Sequence, residues 1–373
     1  MSRIAIATLV VLVLGAAAAA CSDQPAPDGE REFRAAWVAF TASLTGPPEA
    51  RTSEARQQAR LDGVEHMDAA VKADPSNVVY HISLAYMGLA AGEYARAREA
   101  AARAIELKGD DPLPYVLQGQ AEAALARVGG DEAGERIEAA LKAFDDAARV
   151  DPKNSLPLMQ GAGFAFEAGR SDLALPRAQQ ALGREGIVLP RLPVPYDLSA
   201  DRTAAIDAWQ YVQYGHWMML LARCQNAERA LLRSGEAKLE AEDIEGAEAD
   251  FRAALEMGRM VGISRPSLFL TANTATNMME DAYAGLLRVA EIQGSREAER
   301  WKGETGVLYI ARGDLLGKLQ VYLKNLKEKP PGSAEELLRL EAAAVEYALL
   351  GIGLTPPTAQ EAAQAEPSDS SSE

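Results

Sequence analysis

Few residues of this chain are of a type that does covalent or acid–base chemistry, and their spacing sorts them quickly. There are two cysteines, Cys21 and Cys224, and three histidines, His66, His81 and His216. Cys21 follows directly on a run of small residues. Cys224 lies in LLARCQNAERALL, a helical pattern, and reads as a small buried hydrophobe. A nucleophile there would need an activating base, and only His216, two helical turns earlier, is near in sequence. No Cys-x-x-Cys, His-Glu-x-x-His or Gly-x-Ser-x-Gly occurs. The stretch Gly313-Asp314-Leu315-Leu316-Gly317-Lys318 has one residue too few between its glycines for a phosphate loop, and Leu319 stands where Ser or Thr must follow. Carboxylates such as Asp145/Asp146 and Glu240/Glu242/Asp243 read as solvated helix faces. With two cysteines and scattered histidines, no metal and no cofactor are expected. The chain reads as a non-enzyme.

What must position these residues is helical. The 373 residues carry 54 acidic and 38 basic side chains, a formal charge of −16. Nucleic acid is excluded as a partner, because neutralising phosphates needs clustered Lys and Arg. High alanine content with only 6% aromatics favours close-packed helices over strands.

Residues 1–20 have the layout of an export signal: Arg3, an apolar run from Ile4 to Leu14, then small residues to Ala20, with no basic stop-transfer cluster after them. With Cys21 next, the segment resembles a bacterial lipoprotein signal. That resemblance implies acylation of Cys21, a mature chain beginning there, and attachment to a membrane through the acyl chains. The family prefers Leu three positions before the cysteine, where this chain has Ala18. Ala18-x-Ala20 also satisfies an ordinary cleavage site, which would release a soluble periplasmic protein. By the same resemblance, Ser22 implies sorting to the outer membrane, with the protein facing the periplasm. Residues 21–30 read as a flexible tether.

From about residue 64 to 183 the sequence repeats itself. One unit follows Pro75, with Leu84 and Ala85, a Gly92-Glu93-Tyr94 turn, and Ala97 and Ala104. The next ends in Ala140, Phe144, Ala147 and Pro152. The third carries Ala162, Gly169, Ala174 and Ala181, and HMDAAVKADP closes an earlier unit with Ala70 and Pro75. Gly235, Ala247, Phe251 and Ala254 repeat the offsets downstream. These sets resemble the tetratricopeptide repeat (TPR), a helix–turn–helix of roughly 34 residues. The unit starting near Pro112 departs by an insertion of about nine residues around VGGDEAGE. Pro176 is expected to interrupt a second helix. The resemblance covers 31–183 and 228–258. It implies an all-α, TPR-like helical-repeat solenoid of antiparallel helix pairs with C-terminal capping helices. In that family the first helix of each unit lines a concave face. The inward candidates for partner binding are Val79, Ile82, Tyr86, Val116, Gln120, Met159 and Phe166. An apolar face with few polar handles suits an extended peptide or a partner helix.

Beyond the repeats, residues 184–202 carry Pro190, Pro193 and Pro195 and read as an extended connection. Residues 203–350 form a second helical region that opens on an aromatic-rich helix with Trp209, Tyr211, Tyr214 and Trp217. Ser333 caps the last helix. Residues 351–373 read as a disordered acidic tail. Taken together, the sequence favours a scaffold or assembly factor, a lipid-anchored TPR protein of the bacterial envelope. Its partners would be envelope proteins or peptides, and a membrane through the lipid on Cys21. Two rivals stand beside it. One is a lipoprotein binding a small molecule or substrate on the aromatic helix around 209–217. The other is an accessory subunit of an envelope enzyme.

Overall fold

A computed structural model of the chain describes residues 28–45, 52–199, 202–266, 268–351 and 354. Among them are thirteen helices and no named strand. The leader 1–20, Cys21 and the tail beyond residue 354 lie outside the described residues. The chain divides into two units. The first comprises residues up to Val150 together with Arg191–His216, and the second Asp151–Pro190 with Trp217 onward.

In the first unit the helices run α1 Asp28–Thr45, α2 Ser53–Ala73, α3 Val78–Ala91, α4 Tyr94–Leu107, α5 Pro112–Val128 and α6 Ala133–Val150. They pack as sequential antiparallel pairs, α1 with α2, α3 with α4 and α5 with α6. The second unit holds α7 Leu156–Glu167, α8 Ser171–Leu182, α10 Ile244–Gly262, α11 Phe269–Ile292, α12 Glu297–Glu328 and α13 Ala334–Gly351. The long α9, Arg202–Glu240, gives its residues up to His216 to the first unit and the rest to the second. α1 starts inside the stretch expected to be a tether. Acidic Asp28 and Glu30 suit its first turn, and Gly29 packs beneath the Tyr80 ring.

One device makes four of the hairpins. Gly92, Gly169 and Gly294 take left-handed φ values of +83°, +73° and +62°, and Glu242 takes +61°. After each, the next amide reaches back five residues: Glu93 to the Gly88 carbonyl, Arg170 to Ala165, Asp243 to Lys238 and Ser295 to Ala290, all at 2.8–2.9 Å. This is the Schellman closure, which satisfies carbonyls orphaned at a helix end and turns the chain back on itself. The Gly294 turn joins α11 to α12, so helix pairing continues past Ser267, where the sequence signature fades.

The small residues picked out by spacing do what close-packed pairs need. Ala97, Ala104, Ala140, Ala147, Ala174, Ala181, Ala247 and Ala254 are all fully buried, as are Phe144 and Phe251. The phenylalanines sit against glycines. A Cβ on Gly119 would come within 2.7 Å of the Phe144 ring, and one on Gly235 within 2.8 Å of Phe251. The fold class is therefore all-α, with TPR-like helix pairs stacked within each unit.

Two local expectations change. α8 runs unbroken through Pro176. Pro176 and Asp172, whose carbonyl the missing N–H would have bonded, are both exposed, so water can serve it. The connection after Gly183 is extended but anchored at its start. Ser155 N–H donates to the Gly186 carbonyl at 2.7 Å, and Arg265 N–H to Ile187 at 2.8 Å. Both ends of the Asn154 side-chain amide bond the Val188 backbone at 3.0 Å. At the C-terminal end, Ser333 Oγ accepts the Glu336 N–H at 3.2 Å, the expected cap of α13.

Candidate functional site

The inner faces of the helix pairs are where the sequence places a partner site. On α3, the Asn77 side chain caps the helix by accepting the Val79 N–H at 3.1 Å, which sets the phase of everything after it. Val79, Ile82 and Tyr86 then fall on one face. Tyr86 lies at the centre of an aromatic cluster. Its ring stacks on Trp37 at 6.2 Å, tilts against Phe40 at 5.8 Å and meets the edge of His216 at 5.6 Å. Its hydroxyl donates to the Val212 carbonyl at 3.4 Å. Burial pushes the Tyr86 phenol well above its ordinary range.

Val212 and His216 belong to the segment 191–216, which meets this face of α3 at Tyr86. Leu192, Val194, Ile206, Trp209 and Val212 are buried in it. Gln213 fixes its course. Its side-chain amide donates to the Leu192 carbonyl at 2.7 Å and accepts the Leu192 N–H at 3.1 Å. Arg34 on α1 pairs with Asp197 at 3.1 Å and also donates to the Asp197 carbonyl at 2.9 Å. Burial holds His216 down to about 3, so its imidazole is neutral, and neither ring nitrogen has a hydrogen-bond partner among the described residues.

The second unit repeats the arrangement. Gln160 on α7 donates to the Leu220 carbonyl at 2.7 Å and lies 3.9 Å from Cys224 Sγ. A Cβ on Gly163 would overlap the Arg223 carbonyl, so only glycine admits α9 at this depth. The Arg223 guanidinium lies 5.9 Å from the Phe164 ring centre, and that of Arg233 lies 4.6 Å from Phe166. Cys224 is fully enclosed, and burial pushes its thiol up to about 12, which fits a packing residue rather than a nucleophile. Glu228 is also buried, and desolvation, helped by the Asp281 charge, raises its carboxyl well above the usual range.

Of the seven predicted inward positions, Ile82, Tyr86, Val116, Gln120 and Met159 are buried, while Val79 and Phe166 are half-buried. The covering is the chain's own. Sequence reasoning placed these residues on the right helices and missed what lies over them. The rings of the aromatic helix are mostly interior, against the rival reading of a binding platform. Trp209 and Trp217 are buried, the latter donating its indole N–H to the Pro190 carbonyl at 2.8 Å, and Tyr214 is half-buried. Tyr211 alone of the four rings is exposed, so they form no open platform. Among the described residues no group of three or more His, Cys, Asp or Glu side chains could hold a metal ion.

No protein-family model matches the sequence, and no curated protein matches it. Among solved structures, the chain is similar to one in the crystal structure of the APC/C hetero-tetramer Cut9-Hcn1, with 12% identity and a TM-score of 0.24. The match covers 87% of this chain and 62% of that one, so this chain spans less than two thirds of its length.

Proposed function

We propose that this protein is a protein–protein interaction scaffold of the bacterial envelope, held at a membrane by lipid on Cys21 and facing the periplasm. The observation that carries the scaffold reading is the architecture itself. Within each unit, fully buried alanines let helix pairs pack closely, and stacks of this kind serve as platforms for other macromolecules. The envelope part rests on the sequence of residues 1–22. Five of the seven inward positions are buried within the chain, which favours outer helix faces and the half-buried Val79 and Phe166 as the surface open to a partner. The small-molecule reading is not carried further, since its aromatic residues are largely interior.

Photo-crosslinking from amber-encoded side chains on the full chain in cells tests the scaffold. Positions such as Tyr309 and Met218, which are exposed, are expected to capture protein, and buried Met159 is not. If exposed and buried positions alike capture nothing, the protein does not work through protein contacts. For the anchor, palmitate-analogue labelling that survives Cys21→Ala would exclude lipidation there.

A further inference from the structure

The first unit buries polar groups that its own packing leaves unanswered. Around the Tyr86 ring lie Trp37, stacked at 6.2 Å, and His216, edge-on at 5.6 Å. Arg60 on α2 is half-buried and reaches the same place from the surface. Its Nη1 donates to the Ala90 carbonyl at 3.1 Å, and its charge acts on the Tyr86 phenol. Among the described residues, Trp37 Nε1, Arg60 Nε and both ring nitrogens of His216 are buried without a hydrogen-bond partner. Ser83 Oγ, one turn before Tyr86 on the same face of α3, is another such atom. The Tyr86 hydroxyl is barely engaged, since its 3.4 Å to the Val212 carbonyl exceeds the usual length of an O–H···O bond.

Buried polar groups are nearly always hydrogen-bonded, so this many around one ring call for a partner that the chain does not supply. The partner has a definite chemistry. Trp37 Nε1 and Arg60 Nε can only donate, neutral His216 donates from one nitrogen, and the Tyr86 and Ser83 hydroxyls can turn to donate. Acceptors are scarce. Among the described residues no carboxylate acts on Tyr86 or His216, and Arg60 makes no ion pair. The surrounding side chains are Trp37, Phe40, Tyr86 and Val212, all buried. Water could accept from each donor but would leave the guanidinium charge uncompensated in these apolar surroundings. A carboxylate answers both the donors and the charge.

Enclosure limits the size of the guest. Trp37 and His216 are fully buried, so a side chain of another macromolecule does not reach them, whereas a free small molecule entering beside Arg60 can. We propose that the first unit holds an enclosed site beside Tyr86 for a small organic acid, its carboxylate taken by Arg60 and the Trp37 N–H and its apolar body by the Trp37, Phe40 and Tyr86 rings. Few polar donors set in an aromatic wall are the usual make-up of a small-molecule site. This is not an open platform on α9, because the rings wall the guest in. It is also independent of the scaffold reading, which stands or falls on outer surfaces.

Calorimetric titration of the full chain with acetate, benzoate and octanoate, and with benzyl alcohol as an uncharged counterpart, tests the site. At least one of the acids is expected to bind one to one and to raise the melting temperature. Arg60→Gln should weaken that acid by about tenfold or more and leave the weaker binding of benzyl alcohol unchanged. Trp37→Phe keeps a ring and removes the N–H, and should weaken the acid severalfold. Arg56→Gln removes an exposed guanidinium one turn earlier on α2 and should change nothing, which controls for general charge. Circular dichroism checks that each variant keeps its helical content. The absence of saturable binding by any of the three acids at millimolar concentration overturns the proposal and assigns the buried nitrogens to water. Binding that Arg60→Gln and Trp37→Phe both leave intact, or that Arg56→Gln weakens as much as Arg60→Gln does, overturns it too.

Discussion

His216 sits fully buried at the edge of Tyr86 without a hydrogen-bond partner for either ring nitrogen, and this makes folding pH-dependent in a definite direction. Its folded pKa of about 3 lies below the ordinary 6.5, so the unfolded chain binds the proton first. Stability is complete above pH 6.5 and drains away as pH falls toward 3. By pH 5 the loss reaches about 2 kcal/mol, from 1.5 units of protonation at 1.36 kcal/mol each. Carboxylates held by partners, such as Glu32 bonded to His66, add losses of the same sign at lower pH. Thermal melts of wild type and His216→Phe at pH 7.5 and 5 separate the two. The variant should lose markedly less between those values, and equal losses would remove His216 from the account. Cys224 offers a second check at this scale. With its thiol pushed up to about 12 in a sealed site, it should resist a thiol reagent at pH 8 in a Cys21→Ala background and react at once in denaturant.

At the scale of the helix, one substitution should act with opposite signs in different places. Gly119→Ala and Gly235→Ala drive a methyl into the Phe144 and Phe251 rings and should each cost about 1–3 kcal/mol. Gly215→Ala, inside α9 with nothing within 4 Å of the new methyl, should gain up to about 1 kcal/mol. Urea titrations of the three variants read this directly; a gain in all three would show that glycine propensity outweighs packing, and a loss in all three would refute the open space at Gly215. The same residues show what was legible beforehand. Gly235 precedes Phe251 by 16 residues in an unbroken unit, so both declare themselves through spacing. Gly119 precedes Phe144 by 25, because the insertion around VGGDEAGE separates them, and the spacing hides the pair. The hairpin glycines Gly92 and Gly169 were legible since turns are local. Glu242, which makes the same turn without glycine, was not. Nor was the cover over α3. The contacts of Tyr86 with Val212 and His216 join residues more than a hundred positions apart, and helical periodicity reports only that a face is apolar, never what buries it.

For the molecule as a whole, the decisive test is of the membrane attachment we propose. Among the described residues no helix is long and apolar enough to cross a bilayer. The attachment we propose therefore rests on the first 21 residues, and two arrangements of them predict different behaviour. If Cys21 is acylated after cleavage, the acyl chains hold the protein, and a single uncleaved apolar leader has no part. Cys21→Ala should then lose palmitate-analogue label. It should also either accumulate with its leader attached or be cleaved after Ala20 and appear in the soluble periplasmic fraction. If the leader instead stays on as an anchor, Cys21→Ala should fractionate with membranes as wild type does, at the same mass and without label in either. Intact mass of the purified wild-type protein decides independently, because cleavage removes residues 1–20 and acylation adds hydrocarbon. A full-length, unlabelled wild-type chain would defeat the lipoprotein reading while leaving the helix-pair scaffold standing, since the described helices all lie from Asp28 onward.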